Sequence, residues 1–442
     1  MRKLMWFGIG FIASCAAGAY LVSSLWLLLL GIVCLIGWGG LLFVRSPFSK
    51  KVFFAVFGAA IGFLWFWCFD LCYLSDARNM DAQTVLLQIE VTDYSRTTEH
   101  GITTEGKVNL DGKPYRIQFY LNKQISLKPG DRIEGGFMLR YTAGGSQDPT
   151  YHGGKGIFLL GYPKGTNTVL PCEDTKIAHL PAIWRHKILN WLDTLFPEDT
   201  APFVKALLLG DTRSLDYATK WALKTSGIYH IVAVSGMHVS IVFALVCLLC
   251  VNRRLLMTVV GIPALFLFAA ITGFSPSVVR ACIMQTLVVI ALLTYKEYDP
   301  PTALTAAVLV ILICNPLSIT SVSLQLSAGC MTGIFLFTKP IHDYFLQKTP
   351  LGPAKGKGIK ARLIRWMVSS VSVTLGAMSV TTPLCAIYFG SVSISGIVTN
   401  LLILWLISIL FYCVIAASLL GTVWLPLGKG IAWILSWLIR GI

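Results

Sequence analysis

Apolar runs divide the chain into three zones. Residues 4–22, 25–44 and 52–73 are almost unbroken hydrophobic stretches. Eight more follow, near 229–251, 255–273, 278–295, 302–314, 322–338, 366–384, 394–420 and 424–440. Crossing a bilayer takes about 20 such residues, so the shorter runs predict broken or re-entrant helices. Three spans in series argue against a cleaved leader, despite the basic Arg2-Lys3 start. Between the two sets, residues 76–178 alternate instead. "TVLLQIEV", "KVNL", "YRIQFYL" and "RIEGGFMLR" put apolar side chains at every second position. Turn signals at Gly112, Gly130 and Gly144 separate them. This pattern predicts a small all-β barrel or sandwich of about five strands. "PAIWRHKILNWLDTLFP" then places Ile183, Trp184, Ile188, Leu189, Trp191, Leu192 and Leu195 largely on one helical face. It is too short and too polar to span, which predicts an interfacial helix.

The expected fold class is a polytopic α-helical membrane protein with an inserted small all-β domain. Four parts are expected: spans in 1–74, the β domain in 75–178, amphipathic interfacial helices in 179–225, and a polytopic domain with broken helices in 226–442. Composition agrees. The chain is 55% hydrophobic and 13% charged, against about 25% charged in soluble domains. Most of the twelve cysteines fall in apolar runs and read as small hydrophobes. Cys247 and Cys250 form a C-x-x-C without ligand partners, so neither a metal nor a cofactor is expected.

The net charge of +15 changes the picture through its location. Residues 76–178 hold twelve basic and twelve acidic side chains, so that region is neutral. With the N-terminus in the cytoplasm, Arg45, Lys50, Lys51, Arg253, Arg254, Lys296 and the loop 339–365 all fall inside. That loop alone carries a net charge of +6. The excess therefore reads mainly as a topology signal, with lipid or phosphate contact the lesser reading. The β domain then lies outside the cell.

Candidate chemistry lies where polar residues interrupt the apolar runs. "YHIVAVSGMHVSIVFALVCLLC" carries His230 and His238 around Ser235-Gly236. In an unbroken helix the two imidazoles would stand about 12 Å apart along the axis, too far to share a metal. Ser-Gly offers a break whose polar helix ends would face a water-filled cavity; the competing reading has both imidazoles bonded to neighbouring helices. Asp211 and Arg213 precede this segment, and Gln325, Ser327 and Asn400 interrupt later runs. Arg280 is the most telling, because an arginine inside an apolar run needs a partner or water. Asp211 is its expected partner, and snorkelling to the interface is the alternative. In the β domain, Tyr115, Phe119 and Tyr120 are either base-stacking rings or barrel core.

At these residues the chain resembles the ComEC competence family. The family's most specific stretch runs roughly SG-x-x-H-x-x-A-x-SG-x-H, and residues Ser226–Val239 read "SGIYHIVAVSGMHV". Leu207–Arg213, Gly273–Met284, Gln325–Ser327 and Thr381–Leu401 supply further counterparts in the same order. The resemblance implies an inner-membrane channel for single-stranded DNA in natural transformation, with an extracellular OB-like domain after three spans. It makes 226–442 the channel domain and places His230, Ser235, Gly236, His238, Arg280, Asp211, Arg213, Gln325 and Asn400 along the DNA path. Expected partners are a DNA receptor, a cytoplasmic motor or helicase, the lipid bilayer and a separate nuclease. No H-x-H-x-D-H cluster occurs among the seven histidines, so the family's nuclease is expected to be absent, supplied by another protein or lost to truncation, and this chain alone is not expected to cut DNA. "GTVWLPLGKG" lacks the spacing of a nucleotide-binding loop, so ATP is not the expected direct drive. A secondary transporter of a small or polymeric anion, using the same broken helices, and a non-enzymatic assembly scaffold are the competing readings.

Overall fold

The computed structural model describes residues 2–41, 47–98, 101–110, 112–122, 125–142, 152–172, 176–232, 234–251, 253–348, 358–393 and 395–441. Arg45, Lys355, Lys357 and the turn at Gly144 lie outside these residues. The first helices are α1 (Lys3–Tyr20), α2 (Ser24–Leu41) and α3 (Pro47–Phe69). Six strands follow: β1 (Thr84–Val91), β2 (Arg96–Thr98), β3 (Gly101–Leu110), β4 (Lys113–Leu121), β5 (Arg132–Tyr141) and β6 (Ile157–Leu170). Then come α4 (Leu180–Leu195), α5 (Ala201–Leu209), α6 (Tyr217–Thr225), α7 (Tyr229–Val232), α8 (Gly236–Leu249), α9 (Arg254–Ile271) and α10 (Pro276–Leu293). The last are α11 (Pro300–Cys314), α12 (Val322–Lys348), α13 (Ile359–Phe389), α14 (Gly396–Val423) and α15 (Leu425–Arg440). The chain divides into two units, Met1–His186 with Tyr298–Leu324, and Lys187–Glu297 with Gln325–Ile442.

In the first unit α1 packs against α3 through glycine. A Cβ on Gly10 would collide with the Ala55 carbonyl oxygen, and one on Gly58 with that of Phe7. Such close backbone approach is how helices associate where lipid removes the hydrophobic drive. α3 continues through a π-helical turn, Asp70–Leu74, into Ser75–Asn79. The barrel takes up carbonyls of that turn: Lys113 Nζ donates to Cys72 at 2.8 Å and Tyr115 Oη to Tyr73 at 3.3 Å. Arg78 bonds Asp70 at 2.7 Å and lies over the Tyr141 ring.

The strands close into a five-stranded barrel. Their order is β1-β5-β6-β4-β3, and β1 also pairs with β3, Glu90 opposite Lys107 and Val91 opposite Gly106. β4 and β6 run parallel, and β2 is a short arm on β3. Closure leaves no long edge to template aggregation. Ile89, Ile117, Phe119, Ile133, Phe137, Leu139 and Leu159 fill the interior. Each contributes about 1.5–3 kcal/mol by leaving water. Tyr115 and Phe119 are buried, so the base-stacking expectation fails for them; they are barrel core. Tyr120 is half-buried and stacks on Tyr162 at 5.1 Å between ring centroids.

Charges on the barrel are paired at its surface. Arg116 meets Glu105 at 2.9 Å and Arg96 meets Asp93 at 3.1 Å. Glu90 accepts from Lys176 at 2.6 Å and lies 3.1 Å from His179 Nε2, which ties β1 to the turn before α4. The Lys176 hydrogen bond holds the Glu90 carboxyl below the usual carboxylate range, with His179 adding to it. His186 on α4 stacks on Tyr94 with centroids 4.0 Å apart.

Seven described helices are long and apolar enough to cross a membrane: α1, α2, Lys50–Asn79, α9, α10, α13 and α14. α8 and α11 are shorter. Several expectations change: α12, which carries the run 322–338, is not among the seven. The run 424–440 was expected to span, but α15 has 16 residues and is about 24 Å long, short of the roughly 30 Å hydrocarbon core. It packs on α14 where Gly428 meets Gly421, and Arg440 at its end bonds Asp199 at 2.7 Å. The basic stretch from Lys339 was expected as loop, yet α12 runs on to Lys348 and α13 starts at Ile359. Helices outlast their apolar part because Lys and Arg are good helix formers in water.

Candidate functional site around Arg280

The break at Ser235-Gly236 is present. α7 is one turn, Ser235 is extended, and α8 begins at Gly236. His238, at the third position of α8, reaches back. Its Nδ1 accepts the Ser235 backbone N–H at 3.0 Å and lies 3.1 Å from the Ser235 hydroxyl. This capping arrangement satisfies a helix-start donor that would otherwise be orphaned. An accepting Nδ1 puts the neutral ring's proton on Nε2. The ring is fully buried, meets Phe411 edge-on at 5.3 Å, and its Nε2 has no partner among the described residues. His238 therefore clasps the helix start from within the core. The expectation that it faces an open cavity is corrected. His230 is exposed, with Nδ1 3.1 Å from the Gly227 carbonyl oxygen.

Asp211 sits just past the left-handed Gly210 that ends α5. Its two carboxylate oxygens take Arg213 Nε and Nη2, each at 2.6 Å. The bidentate fork is the strong geometry for this pair. Arg213, two residues on, reaches Asp211 at little entropic cost because both lie in the same turn.

Arg280 lies in the second turn of α10 and is only 5% exposed, so it does not snorkel. Its Nε donates to Ser327 Oγ at 2.9 Å and its Nη1 contacts Met284 Sδ at 3.2 Å. Ser277 Oγ also donates to Ser327 Oγ, at 3.0 Å. With two bonds accepted, Ser327 keeps its own proton as a donor. The remaining guanidinium nitrogen lies at the start of α8: a Cβ on Gly236 would sit 3.2 Å from Nη2. Glycine there leaves the cation room to approach that backbone. The arrangement sets a full positive charge beside the N-terminus of α8 and near that of α10. Helix N-termini carry about half a positive charge, so the cluster is electropositive and rich in donors. It suits an anion.

Two further polar residues of the apolar helices were expected on the path. Gln325, two residues before Ser327, accepts from Tyr388 Oη at 2.6 Å. Asn400 Oδ1 on α14 is buried without a hydrogen-bond partner among the described residues. Ser277 and Tyr388 were not singled out from the sequence. Ser277 lies one turn before Arg280, a spacing that could have flagged it. Tyr388 is 63 residues from Gln325, and nothing local announces the pair. No group of three or more His, Cys, Asp or Glu side chains able to hold a metal occurs among the described residues.

A buried cation and hydroxyls at helix starts, among helices long and apolar enough to cross a bilayer, define a polytopic membrane protein with a polar interior site. The family model described as Competence protein matches residues 207–442, more than half the chain, and the chain belongs to that family. It is 22% identical over 378 residues to Recombination protein 2 of Haemophilus influenzae, covering 81% of this chain and 45% of that protein. It is 24% identical over 246 residues to ComE operon protein 3 of Bacillus subtilis, covering 55% of this chain and 29% of that protein. The chain thus spans less than half the length of these two relatives. No solved structure matches.

Proposed function

We propose that this chain carries single-stranded DNA through the cytoplasmic membrane during natural transformation, and that Arg280 contacts its phosphates. The observation that carries this reading is the buried guanidinium beside the start of α8, with Ser327 as a second donor. A phosphate backbone is a row of anions, and donors that bind each one modestly let it move on. Membership of the competence family supports DNA as the cargo over a small anion. Gln325, Asn400, His230 and the Asp211–Arg213 clasp are further positions along the proposed path. The barrel faces the outside and the stretch between α12 and α13 faces the cytoplasm, as the basic charge suggests. A DNA receptor delivers the strand, a cytoplasmic motor or the membrane potential draws it in, and a separate nuclease removes its complement.

The test is entry of labelled DNA into cells in which this chain is the sole copy. Arg280→Leu loses entry at unchanged membrane abundance, and Arg280→Lys keeps part of it, because lysine retains charge but not the planar fork. Full entry with Arg280→Leu would remove Arg280 from the path. Topology is read separately with an impermeant thiol reagent on Lys164→Cys and Ile359→Cys, both exposed positions. Labelling of the first alone in intact cells is expected.

A further inference from the structure

α9 and α10 are joined by four residues, Thr272–Ser275. Gly273 N–H bonds the Ala270 carbonyl at 3.1 Å and Phe274 N–H bonds that of Ala269 at 2.7 Å. This closure needs one left-handed residue, and Gly273 supplies it at φ 82°. Phe274 is also left-handed, at φ 51°. A bulky residue rarely adopts that conformation, and glycine would do so without strain. The strained residue is not buried: its side chain is part of a residue 55% exposed. Directly after it, the Ser275 hydroxyl is buried with no partner among the described residues. Ser277 and Arg280 follow within the first two turns of α10.

Strain kept at an exposed aromatic points to use of the ring rather than to packing. Arg280 follows Phe274 by six residues, and its Nε shares Ser327 Oγ with Ser277 of the first turn of α10. We propose that Phe274 is a base-stacking residue at the entrance to the Arg280 cluster. Its ring carries one face of a nucleobase while Arg280 and Ser327 hold the adjoining phosphate. Stacking on an aromatic ring tolerates any base, which suits a cargo of arbitrary sequence. The inference rests on DNA being the cargo.

The test uses the full chain in cells and three variants at matched membrane abundance. Phe274→Gly removes the ring and the strain together. It is expected to lower DNA entry about tenfold, the usual scale for losing one stacked base, with a melting temperature unchanged or raised. Phe274→Trp keeps entry. Single strands carrying 5-iodouracil, irradiated on the wild-type protein, form an adduct at residue 274 that peptide mass spectrometry locates. Wild-type entry with Phe274→Gly, a lowered melting temperature in that variant, or adducts that avoid residue 274 would each overturn the proposal. Arg280→Leu in the same series separates the two readings. Loss with Arg280→Leu but normal entry with Phe274→Gly removes Phe274 alone, whereas normal entry in both removes the DNA path itself.

Discussion

The barrel and the Arg280 cluster treat charge in opposite ways. On the barrel, Glu90, Asp93 and Glu105 meet Lys176, Arg96 and Arg116 at the surface, and the side chains that fill the interior are mainly apolar. Charge in water is inexpensive, and exposed pairs contribute about 0–1 kcal/mol each. Their positions say little about what the barrel does. Among the helices of the second unit a full charge is buried on hydroxyls and helix starts. There a misplaced charge is expensive, so its location carries functional information. The lesson is to read function where charge is costly to place.

The contrast breaks first, and by most, at the barrel core. Phe119→Ala is expected to destabilise the barrel by about 3–5 kcal/mol, seen as a loss of its thermal transition in the purified chain. Arg116→Gln on the same strand should change stability by less than about 1 kcal/mol. Equal effects would mean that the barrel's surface charges are structural after all. Next comes Arg280→Leu. Losing its charged hydrogen bonds, at about 1.5–3 kcal/mol each, predicts DNA entry reduced on the order of a hundredfold with stability little changed, the reverse of the Phe119 signature.

His238→Ala sharpens the comparison, because it lies in the same helical unit but acts as packing. It should cost about 1–2 kcal/mol through the lost cap, and DNA entry should fall only in step with membrane abundance. Entry lost at full abundance would return His238 to the path. The smallest effect is at Glu90. Its folded carboxyl titrates below its ordinary value of 4.5, chiefly through Lys176. The stabilisation is therefore complete above that value and is lost as pH falls through the depressed folded one. Glu90→Gln should flatten the acid limb of barrel stability by lowering stability slightly at neutral pH, and leave it nearly unchanged below the depressed value.

How much of this was readable in the chain depends on where water lies. β1 and β4 alternate because one face meets solvent and the other the core, and their runs were visible. β6 was not visible in this way. Its first four residues, "IFLL", are buried on both faces and show no alternation. The break at Ser235-Gly236 was legible, since glycine and serine are poor choices inside an apolar helix. The part played by His238 was not, because capping and path-lining use the same residue at the same spacing. The Tyr388–Gln325 bond and the approach of Gly236 to Arg280 join distant segments, and no local pattern encodes such meetings.

The π-helical turn at the foot of α3 has a mechanical consequence. Lys113 and Tyr115 grip its carbonyls, Arg78 bolts Asp70 beside Tyr141, and Phe69 packs edge-on against Phe158. A slack tether would let the barrel swivel on its stalk and absorb a tug. These fastenings stiffen the joint instead, so a load applied to the barrel is delivered to α3 as torque, and the pair turns as a single lever.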